Sequence, residues 1–494
     1  MHSYDLLVIG GGINGAGIAR DAAGRGLKVV LAEQGDLASQ TSSWSSKLIH
    51  GGLRYLEQYE FRLVAEALAE REVLLNIAPH LVWPVRFIMP HVPELRPRWM
   101  IRAGLFLYDH LSRRSTLEGS HGVDLSGPPY HSGLKPNLRH GFIYSDCRVD
   151  DARLVVMNAM SAREQGAQVF THTACVHAER EQGDWRVHLV RGSETLEVHV
   201  RAIVNAAGPW VKDVLNQQLG QPSRDAVRLV KGSHIVVRKR YQGEHAFILQ
   251  NDDRRVVFMI PYERAYTLIG TTDIPLEGDP RDPRASDAEI EYLCRAANRY
   301  LAQPIAPADV IWAYAGVRPL YDDGSSDPSK VTRDYTLRVD DVEGRAAVLS
   351  VFGGKITIYR RLAEHAMDKL APYFPGLKPA WTGNAPLPGG DFPPSARRDV
   401  FLDLARRYPR LPSEFLHGAH RRHGLLAAAV AGDAQTEEDL GEHFGADLYE
   451  REVAYLREHE WAHDVDDILW RRTKSGLHMT QEQRVGLARW IAAH

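Results

Sequence analysis

The sequence predicts an α/β protein whose parallel sheet is assembled from distant stretches of the chain. The first observation is a strand, a glycine-rich turn and a helix within residues 5–33. The second is a pair of later strands, at 202–206 and 348–352, that also run into small residues or paired glycines. The third is a charged segment of helical periodicity, 396–494. Together these features predict a discontinuous Rossmann-like domain, a domain built on an antiparallel sheet, and a C-terminal all-α domain.

The first strand is apolar enough to be covered on both faces, as strands of parallel sheets are. Gly10, Gly12 and Gly15 then fit the pattern G-x-G-x-x-G, which gives a tight turn and a close approach to a phosphate. The helix from Ile13 points its positive end at a pyrophosphate. A second strand ends in Glu33, placed to accept hydrogen bonds from a ribose hydroxyl, and no arginine follows it directly, which argues against NADP. This unit predicts a dinucleotide site.

Composition excludes several other classes of protein. A chain of 494 residues is long enough for two or three domains, and a net charge of −3 gives no overall attraction to nucleic acid. The three cysteines, Cys147, Cys175 and Cys294, lack metal-ligand or redox spacing, which is typical of reduced thiols in the cytoplasm. The first strand begins too early for a signal peptide, and no run reaches the roughly 18–20 apolar residues of a spanning helix. We therefore expect any membrane contact to be peripheral.

A run of hydroxyl, basic and glycine residues follows at 40–55. Small donors of this kind suit a segment that wraps a cofactor, with His50 and Arg54 directed toward a substrate. The alternative is that the hydroxyl groups only cap helices. A helix is then predicted at 60–78, with its charged residues on a solvated face: Glu66, Glu70, Arg71 and Glu72.

Residues 86–114 combine six arginines with interleaved aromatic and aliphatic residues. A helical wheel separates the apolar from the charged residues: Met100, Ile101, Leu105, Leu107, Tyr108 and Leu111 against Arg102, Asp109 and Arg113. This pattern fits a helix that lies in a bilayer interface. It fits equally well a surface helix that packs on the core.

The middle of the chain reads as a loop at 116–140, a helix at 152–165 and a small β-meander before the strand and turn that reach Ala207 and Gly208. Residues 228–274 alternate as an antiparallel sheet does, and His234 and Thr271 are candidates for its substrate-facing side. A structural role is as plausible for a lone sheet histidine. Arg318 on a later strand and Arg333 after a polar loop suit capture of phosphate or carboxylate, with surface ion pairs as the alternative.

The third dinucleotide segment ends at Gly353 and Gly354, and a long helix begins at Ile356. Its positive end suits the electron-rich edge of a reduced flavin, and Lys355 at that point is hard to explain as scaffold. Residues 371–395 carry seven prolines and four glycines and are expected to be a linker. In the C-terminal segment, residues 420–423 and 470–472 are expected to be solvated surface.

Taken together, the segments 10–17 with Glu33, 203–210 and 351–357 resemble FAD-binding oxidoreductases of the glutathione-reductase-like superfamily. Further motifs resemble the aerobic, respiratory FAD-dependent glycerol-3-phosphate dehydrogenases. These motifs are residues 10–17, 41–43, 45–57, 231–234, 270–273, 316–319 and 352–355. The resemblance covers nearly the whole chain, and 45–57 is its most specific part.

The resemblance implies oxidation of sn-glycerol 3-phosphate to dihydroxyacetone phosphate, with electrons passing from FAD to ubiquinone. No histidine or cysteine stands in a context typical of a covalent flavin linkage, so we expect the FAD to be non-covalent. It also implies a homodimer that lies on the cytoplasmic face of the inner membrane, which favours the membrane interpretation of residues 96–114. The implied domains are FAD-binding (1–85, 150–215 and 335–370), substrate-binding and membrane-facing (86–149 and 216–334), linker (371–395) and C-terminal helical (396–494).

The expected cofactor contacts come from four parts of the chain: Gly10, Gly12, Ile13, Asn14, Gly15, Glu33, Thr41, Ser42, Ser45, Ser46, Lys47, Leu48, Ala207, Gly208, Gly353, Gly354, Lys355, Ile356 and Thr357. The expected catalytic residues are His50, His234, Lys355 and Arg318. The expected substrate contacts are Arg54, Tyr55, Thr271, Arg318 and Arg333, and no metal is expected.

These assignments lead to a hypothesis for the reaction: hydride leaves C2 of the substrate for flavin N5 while a histidine removes the hydroxyl proton. His50 is slightly favoured over His234 as this base because it lies in the segment that wraps the cofactor. Lys355 would stabilise negative charge on the reduced flavin or orient the substrate hydroxyl. Two alternatives remain: a soluble oxidase that passes electrons to O₂, and an FAD- or NAD-binding regulatory protein without turnover.

Overall fold

The computed structural model describes residues 2–222, 225–253, 255–322 and 334–494. In chain order its strands are β1 (His2–Ile9), β2 (Val29–Ala32), β3 (Leu48–Ile49), β4 (Val82–Pro90), β5 (His121–Asp124), β6 (His140–Val149), β7 (Gln168–Phe170), β8 (Ala174–Glu181), β9 (Asp184–Arg191), β10 (Glu194–Asn205), β11 (Val227–Arg238), β12 (Ala246–Gln250), β13 (Val256–Tyr262), β14 (Tyr266–Gly270), β15 (Ile274–Pro275), β16 (Val310–Tyr321), β17 (Thr336–Val342), β18 (Arg345–Phe352), β19 (His443–Gly445) and β20 (Leu448–Tyr449). Its helices are α1 (Ile13–Gly24), α2 (Phe61–Ile77), α3 (Arg98–His110), α4 (Asp151–Glu164), α5 (Val211–Asp213), α6 (Asp287–Asn298), α7 (Tyr359–Leu370), α8 (Arg397–Arg407), α9 (Ser413–His423), α10 (Ala427–Ala431), α11 (Glu450–Glu460) and α12 (Gln481–Ala493).

The first sheet has the strand order β17-β18-β10-β1-β2-β7, and the hairpin β8–β9 pairs with the outer half of β10. Strands β18, β10, β1, β2 and β7 run parallel, so their carboxyl ends meet at one edge. Helices α1, α4 and α7 cover one face of this sheet in a common apolar core. The predicted discontinuous Rossmann-like domain is confirmed, and its edge is where the three glycine-rich turns converge.

The second sheet has the order β15-β11-β14-β13-β12-β4-β6-β3, with β16 beside β11 and β5 beside β6. Its pairs are antiparallel except β12 with β4. Strand β5 lies inside the stretch that the sequence suggested was all loop. The C-terminal segment is helical, as predicted, and adds the short ribbon β19–β20.

The charged residues of α2 are mostly buried, so the expectation of a solvated face there was wrong. Arg71 pairs with Asp146 at 2.6 Å, and Glu70 pairs with Arg360. Glu72 is buried as well, while Glu66 is half-buried. The core accepts these charges because each buried guanidinium meets a carboxylate.

The expectation of solvated surface at 420–423 and 470–472 was also wrong. Arg422 and Arg472 are both buried, and they pair with Glu452 and Asp36. Asp36 lies in the loop after β2 of the first sheet. A further pair joins Arg153 of α4 to Glu460 of α11. The pairs Arg472–Asp36 and Arg153–Glu460 therefore join the C-terminal helices to the dinucleotide-binding domain, whereas Arg422–Glu452 lies within the C-terminal helices.

Candidate active site

The glycine-rich turn after β1 brings two parts of the backbone into contact. Gly10 has φ +109°, and a Cβ atom there would lie 2.6 Å from the carbonyl oxygen of Ala206. A Cβ atom at Gly15 would lie 1.9 Å from the carbonyl oxygen of Gly10, because α1 crosses directly over the turn. Only glycine allows both approaches. Glycine at these two positions therefore lets the end of β10 and the start of α1 pack directly on the turn.

Side chains connect this turn with the other segments predicted to bind the cofactor. Asn14 Nδ2 donates to the carbonyl oxygen of Gly353 at 3.1 Å, and Ile13 N donates to Ser42 Oγ at 2.9 Å. Thr41 Oγ1 donates to the carbonyl oxygen of Val317 at 2.7 Å. Residues far apart in sequence thus form one crevice.

The crevice is a cavity of about 590 Å³. Its lining includes predicted cofactor contacts from four parts of the chain: Gly10, Gly12, Ile13, Asn14, Glu33, Thr41, Ser42, Ala207, Gly208, Gly353 and Gly354. This volume lies within the range of about 300–1,000 Å³ that is usual for cofactor pockets. Small residues and backbone amides near the carboxylate of Glu33 fit the adenosine diphosphate half of FAD.

Glu33 has a role in the crevice that the sequence did not show. Its Oε2 atom accepts from the N–H of Gly11 at 2.6 Å, and its Oε1 atom accepts from the N–H of Gly35 at 2.8 Å. Burial nevertheless raises the pKa of Glu33 above its ordinary value. The carboxylate therefore holds the glycine turn in place and also faces the cavity.

A second group of residues lies beyond the paired glycines that end β18. Arg318 donates to Thr271 Oγ1 at 3.0 Å and pairs with Asp273. Arg54 Nη1 lies 3.8 Å from the second oxygen of Asp273. Asp273 therefore bridges two arginines that the sequence assigned to anion binding. The sequence does not indicate this role for Asp273, although the residue lies in the motif at 270–273.

Lys355 and Tyr55 meet in the same region. Lys355 Nζ lies 3.7 Å from the centre of the Tyr55 ring, which is cation–π distance. On the sheet side, a Cβ atom at Gly232 would lie 2.4 Å from Arg318 Nη2 and 2.6 Å from Thr271 Oγ1. Gly232 thus makes room for both side chains, another role that only the three-dimensional contacts show. Arg333 lies outside the described residues.

The two candidate histidines are held in different ways. Thr357 Oγ1 accepts from the backbone N–H of His50 at 3.3 Å and lies 3.4 Å from the His50 carbonyl oxygen. The His234 ring is buried, its Nε2 atom lies 2.9 Å from Ser46 Oγ, and it stacks on Tyr314 at 4.8 Å. His50 is thus anchored through its backbone and His234 through its ring.

Both histidines are neutral at neutral pH. Burial, with help from the charges of Lys355 and Arg71, lowers the pKa of His50 to about 3. Burial, Arg318 and Lys47 lower the pKa of His234 well below its ordinary value. A neutral imidazole has a lone pair available to accept a proton.

The middle of the wrapping segment uses its side chains to hold the loop. Lys47 Nζ donates to both carboxylate oxygens of Asp151 at 2.9 Å, and Ser45 Oγ donates to Asp151 Oδ2 at 2.7 Å. Leu48 is buried in β3, and Ile356 packs against the core of the first sheet. For these four residues contact with the cofactor stays a prediction.

A buried network supports the His50 loop from the side of α3. The N–H of Gly51 donates to Tyr108 Oη at 2.9 Å, and Tyr108 donates to Asp146 at 2.8 Å. A Cβ atom at Gly51 would lie 2.8 Å from the same hydroxyl group. The glycine allows this approach, so α3 contacts the loop next to the candidate base.

Comparisons with known proteins agree with this geometry. The family model "FAD dependent oxidoreductase" matches residues 5–360, and "C-terminal domain of alpha-glycerophosphate oxidase" matches residues 380–492. A solved glycerol-3-phosphate dehydrogenase from Bacillus halodurans, complexed with FAD, is 27% identical with a TM-score of 0.78. The similarity covers 99% of this chain and 90% of that one.

Three curated relatives are much closer in sequence. A glycerol-3-phosphate dehydrogenase of Pseudomonas aeruginosa is 55% identical over 99% of this chain and 95% of its own. An aerobic glycerol-3-phosphate dehydrogenase of Escherichia coli is 50% identical over 100% of this chain and 98% of its own. A D-erythritol 1-phosphate dehydrogenase of Brucella abortus is 52% identical over 99% of this chain and 97% of its own.

The close approach at Gly15 generates the first prediction. Gly15→Ala should abolish binding of FAD, because the new methyl group cannot avoid the backbone oxygen of Gly10 without moving α1 away from the turn. Gly486→Ala in α12, where a Cβ atom would meet nothing within 4 Å, is the matched control and should keep its FAD. The measurement is the flavin content of each purified protein. Normal flavin content in Gly15→Ala would contradict the assignment of this turn.

Proposed function

Because the chain belongs to the glycerol-3-phosphate dehydrogenases of the FAD-dependent oxidoreductase family, we propose that it oxidises sn-glycerol 3-phosphate to dihydroxyacetone phosphate and passes the electrons to ubiquinone. The observation that supports this most directly is the cluster of Arg54, Arg318 and Lys355 beside two neutral, sheltered histidines. A module that only binds a nucleotide has no need of such a cluster.

The arginines suit the phosphate group of the substrate. A guanidinium binds a phosphate through two parallel hydrogen bonds, and Arg318 projects from the rigid strand β16. Asp273 holds Arg54 and Arg318 toward one point, so little side-chain freedom remains to be lost on binding. Thr271 contacts Arg318, Tyr55 contacts Lys355, and we add Arg333 to this group on the resemblance alone.

The histidines suit removal of the hydroxyl proton. Bound FAD supplies the acceptor for the hydride of C2, and the protein must take the proton of the adjoining hydroxyl group. We assign this to His50, a residue that is less buried than His234. Lys355, next to the paired glycines, would orient the hydroxyl oxygen or stabilise negative charge as it develops. His234 would hold the substrate from the sheet side.

We also propose that the protein lies on the cytoplasmic face of the inner membrane, as a homodimer. No helix among the described residues is long and apolar enough to cross a bilayer. In α3 the residues Ile101, Leu105 and Tyr108 pack on the core, while a second apolar face is exposed: Trp99, Met100, Phe106 and Leu107. Both interpretations of the sequence therefore have a counterpart on this helix. Exposed Arg98, Arg102 and Arg113 around that face suit anionic head groups.

Anaerobic addition of substrate tests the proposed reaction. Glycerol 3-phosphate should bleach the bound flavin, because hydride transfer reduces it, whereas a non-catalytic flavoprotein would keep its colour. D-erythritol 1-phosphate is the necessary comparison, since the Brucella relative is as similar as the other two. Bleaching by D-erythritol 1-phosphate alone would show that this compound, and not glycerol 3-phosphate, is the substrate. Rapid oxygen consumption without added quinone would favour an oxidase.

Separate variants at the two histidines test the base. His50→Asn should slow flavin reduction in a single turnover by about 10²–10⁴-fold, the usual contribution of a positioned base. His234→Asn should slow it less. Because the pKa of His50 is lowered to about 3, the wild-type rate should not fall between about pH 8 and pH 5 through protonation of this group. Wild-type reduction rates in both variants would refute the assignment.

The exposed face of α3 gives a test of membrane binding. Replacing both Trp99 and Phe106 by Ser should weaken co-sedimentation with anionic vesicles by about tenfold or more, because two aromatic rings no longer enter the interface. Flavin reduction in solution should be unchanged. Val485→Ser, at an exposed apolar residue of α12, is the control and should bind as the wild type does. Equal binding by all three proteins would remove α3 from the membrane contact.

A further inference from the structure

Two contacts orient the ring of His234, and each leads toward the C-terminal helices. One contact is the stacking of the ring on Tyr314, at 4.8 Å and 17°. The other is the hydrogen-bonding distance of 2.9 Å from Nε2 to Ser46 Oγ. Tyr314 also donates to the carbonyl oxygen of Ser45 at 2.8 Å, which joins the two contacts. Whatever fixes Tyr314 and residues 45–47 therefore fixes this imidazole.

The stacking continues as an aromatic row that consists of Tyr314, Trp312 and Trp470. Trp312 lies 4.9 Å from Tyr314, and Trp470 stacks on Trp312 at 4.8 Å and 23°. Trp44 of the wrapping segment flanks the row, 5.5 Å from Tyr314 and 6.1 Å from Trp312. Trp470 belongs to the C-terminal unit, which is residues 396–494 with helices α8 to α12. The outermost ring of the row is thus supplied by that unit.

The second connection is a buried group of two lysines and two aspartates. Lys47 pairs with Asp151 at 2.9 Å, and Lys474 of the C-terminal unit lies 3.8 Å from the neighbouring Asp150. All four side chains are nearly inaccessible to solvent. Lys474 also donates to the carbonyl oxygen of Trp470, so the two C-terminal contacts hold each other. Charges buried in this way are tolerated only when they balance.

We propose that Trp470 and Lys474 are positioning residues for His234, and that the C-terminal unit therefore fixes the orientation of this imidazole in the active site. This inference rests on the proposed function for its kinetic readout only. Trp470 limits the tilt of the imidazole through Trp312 and Tyr314. Lys474 fixes residues 45–47 through the balanced charges at Asp150 and Asp151. Small displacements matter here, because a catalytic group about 1 Å out of place can cost about 10²-fold in rate.

The kinetic test uses the full-length, FAD-loaded protein. Trp470→Ala should reduce its flavin about tenfold more slowly with glycerol 3-phosphate, with the rate expressed per bound FAD. Trp470→Phe keeps an aromatic ring in the row and should recover most of the rate. Lys474→Met disturbs residues 45–47, which contact His234 through Ser46, and should also slow the reaction. This variant provides the test if Trp470→Ala fails to fold. A structural effect alone would lower stability or flavin content and leave the rate per bound FAD unchanged.

The matched control is Trp490→Ala, in the same C-terminal unit. Trp490 packs on the rings of Phe444 and His494 and not on a ring of the aromatic row, so its loss should leave the rate per bound FAD unchanged. Trp470 and Trp490 pack against the same hydrophobic cluster, which makes the two substitutions comparable in their effect on stability. A slow Trp490→Ala would show that any damage to this unit has the same effect and would overturn the proposal. Wild-type rates in both Trp470→Ala and Lys474→Met would overturn it too.

A second readout does not depend on the substrate. Diethyl pyrocarbonate modifies accessible imidazoles, and mass spectrometry locates the modified residue. His234, which is 2% exposed, should be protected in the wild type and in Trp490→Ala, and modified faster in Trp470→Ala. If glycerol 3-phosphate fails to reduce the wild type, the proposed function fails and this measurement still decides the inference. Equal protection in all three proteins would overturn it.

Discussion

The buried ion pair between Lys47 and Asp151 is the contact on which the candidate active site depends. Asp151 begins α4 at the edge of the parallel sheet, and Lys47 lies in the loop that connects this sheet with the antiparallel one. Lys47 has φ +57°, a backbone conformation that costs a non-glycine residue free energy unless its surroundings impose it. The ion pair and Ser45 impose it. On one side of this ion pair, Thr41 and Ser42 contact the residues of the crevice. On the other side, Ser46 contacts the ring of His234.

The same loop connects the crevice with the candidate base His50, although the two belong to different sheets. Thr41 and Ser42 bond to β16 and to the first turn of α1, whereas His50 bonds to Thr357 at the start of the helix after β18. The hydroxyl groups that could have been simple helix caps thus do act on backbone groups. Ser42 accepts from the first N–H group of α1, and Thr41 donates to a carbonyl oxygen of β16. The same hydroxyl contacts therefore hold together segments that are distant in the sequence.

Helix α3 shows how one sequence pattern can satisfy two demands. Its buried side packs on the core and carries Tyr108, which bonds to Gly51 beside the candidate base. Its outer side leaves Trp99 and Phe106 largely exposed. The helical wheel combined both sets into one broad apolar side, because a wheel shows the periodicity of a helix and not which part of it meets the rest of the protein. The helix in fact carries two neighbouring apolar stripes, one buried and one exposed.

The sequence by itself determined the parallel sheet, the crevice predicted to hold FAD and eleven of the residues that line it. Short-range requirements decide these features: Gly10 and Gly15 have to be glycine for steric reasons, and the acid at Glu33 has to follow a strand. Tertiary structure alone decided which charges are buried, since Arg71 and Arg422 are buried only because carboxylates from distant segments meet them. Charge patterns along a chain identify such groups as polar but carry no information on their partners. For that reason the bridge through Asp273 and the support behind His234 could not be read from the sequence.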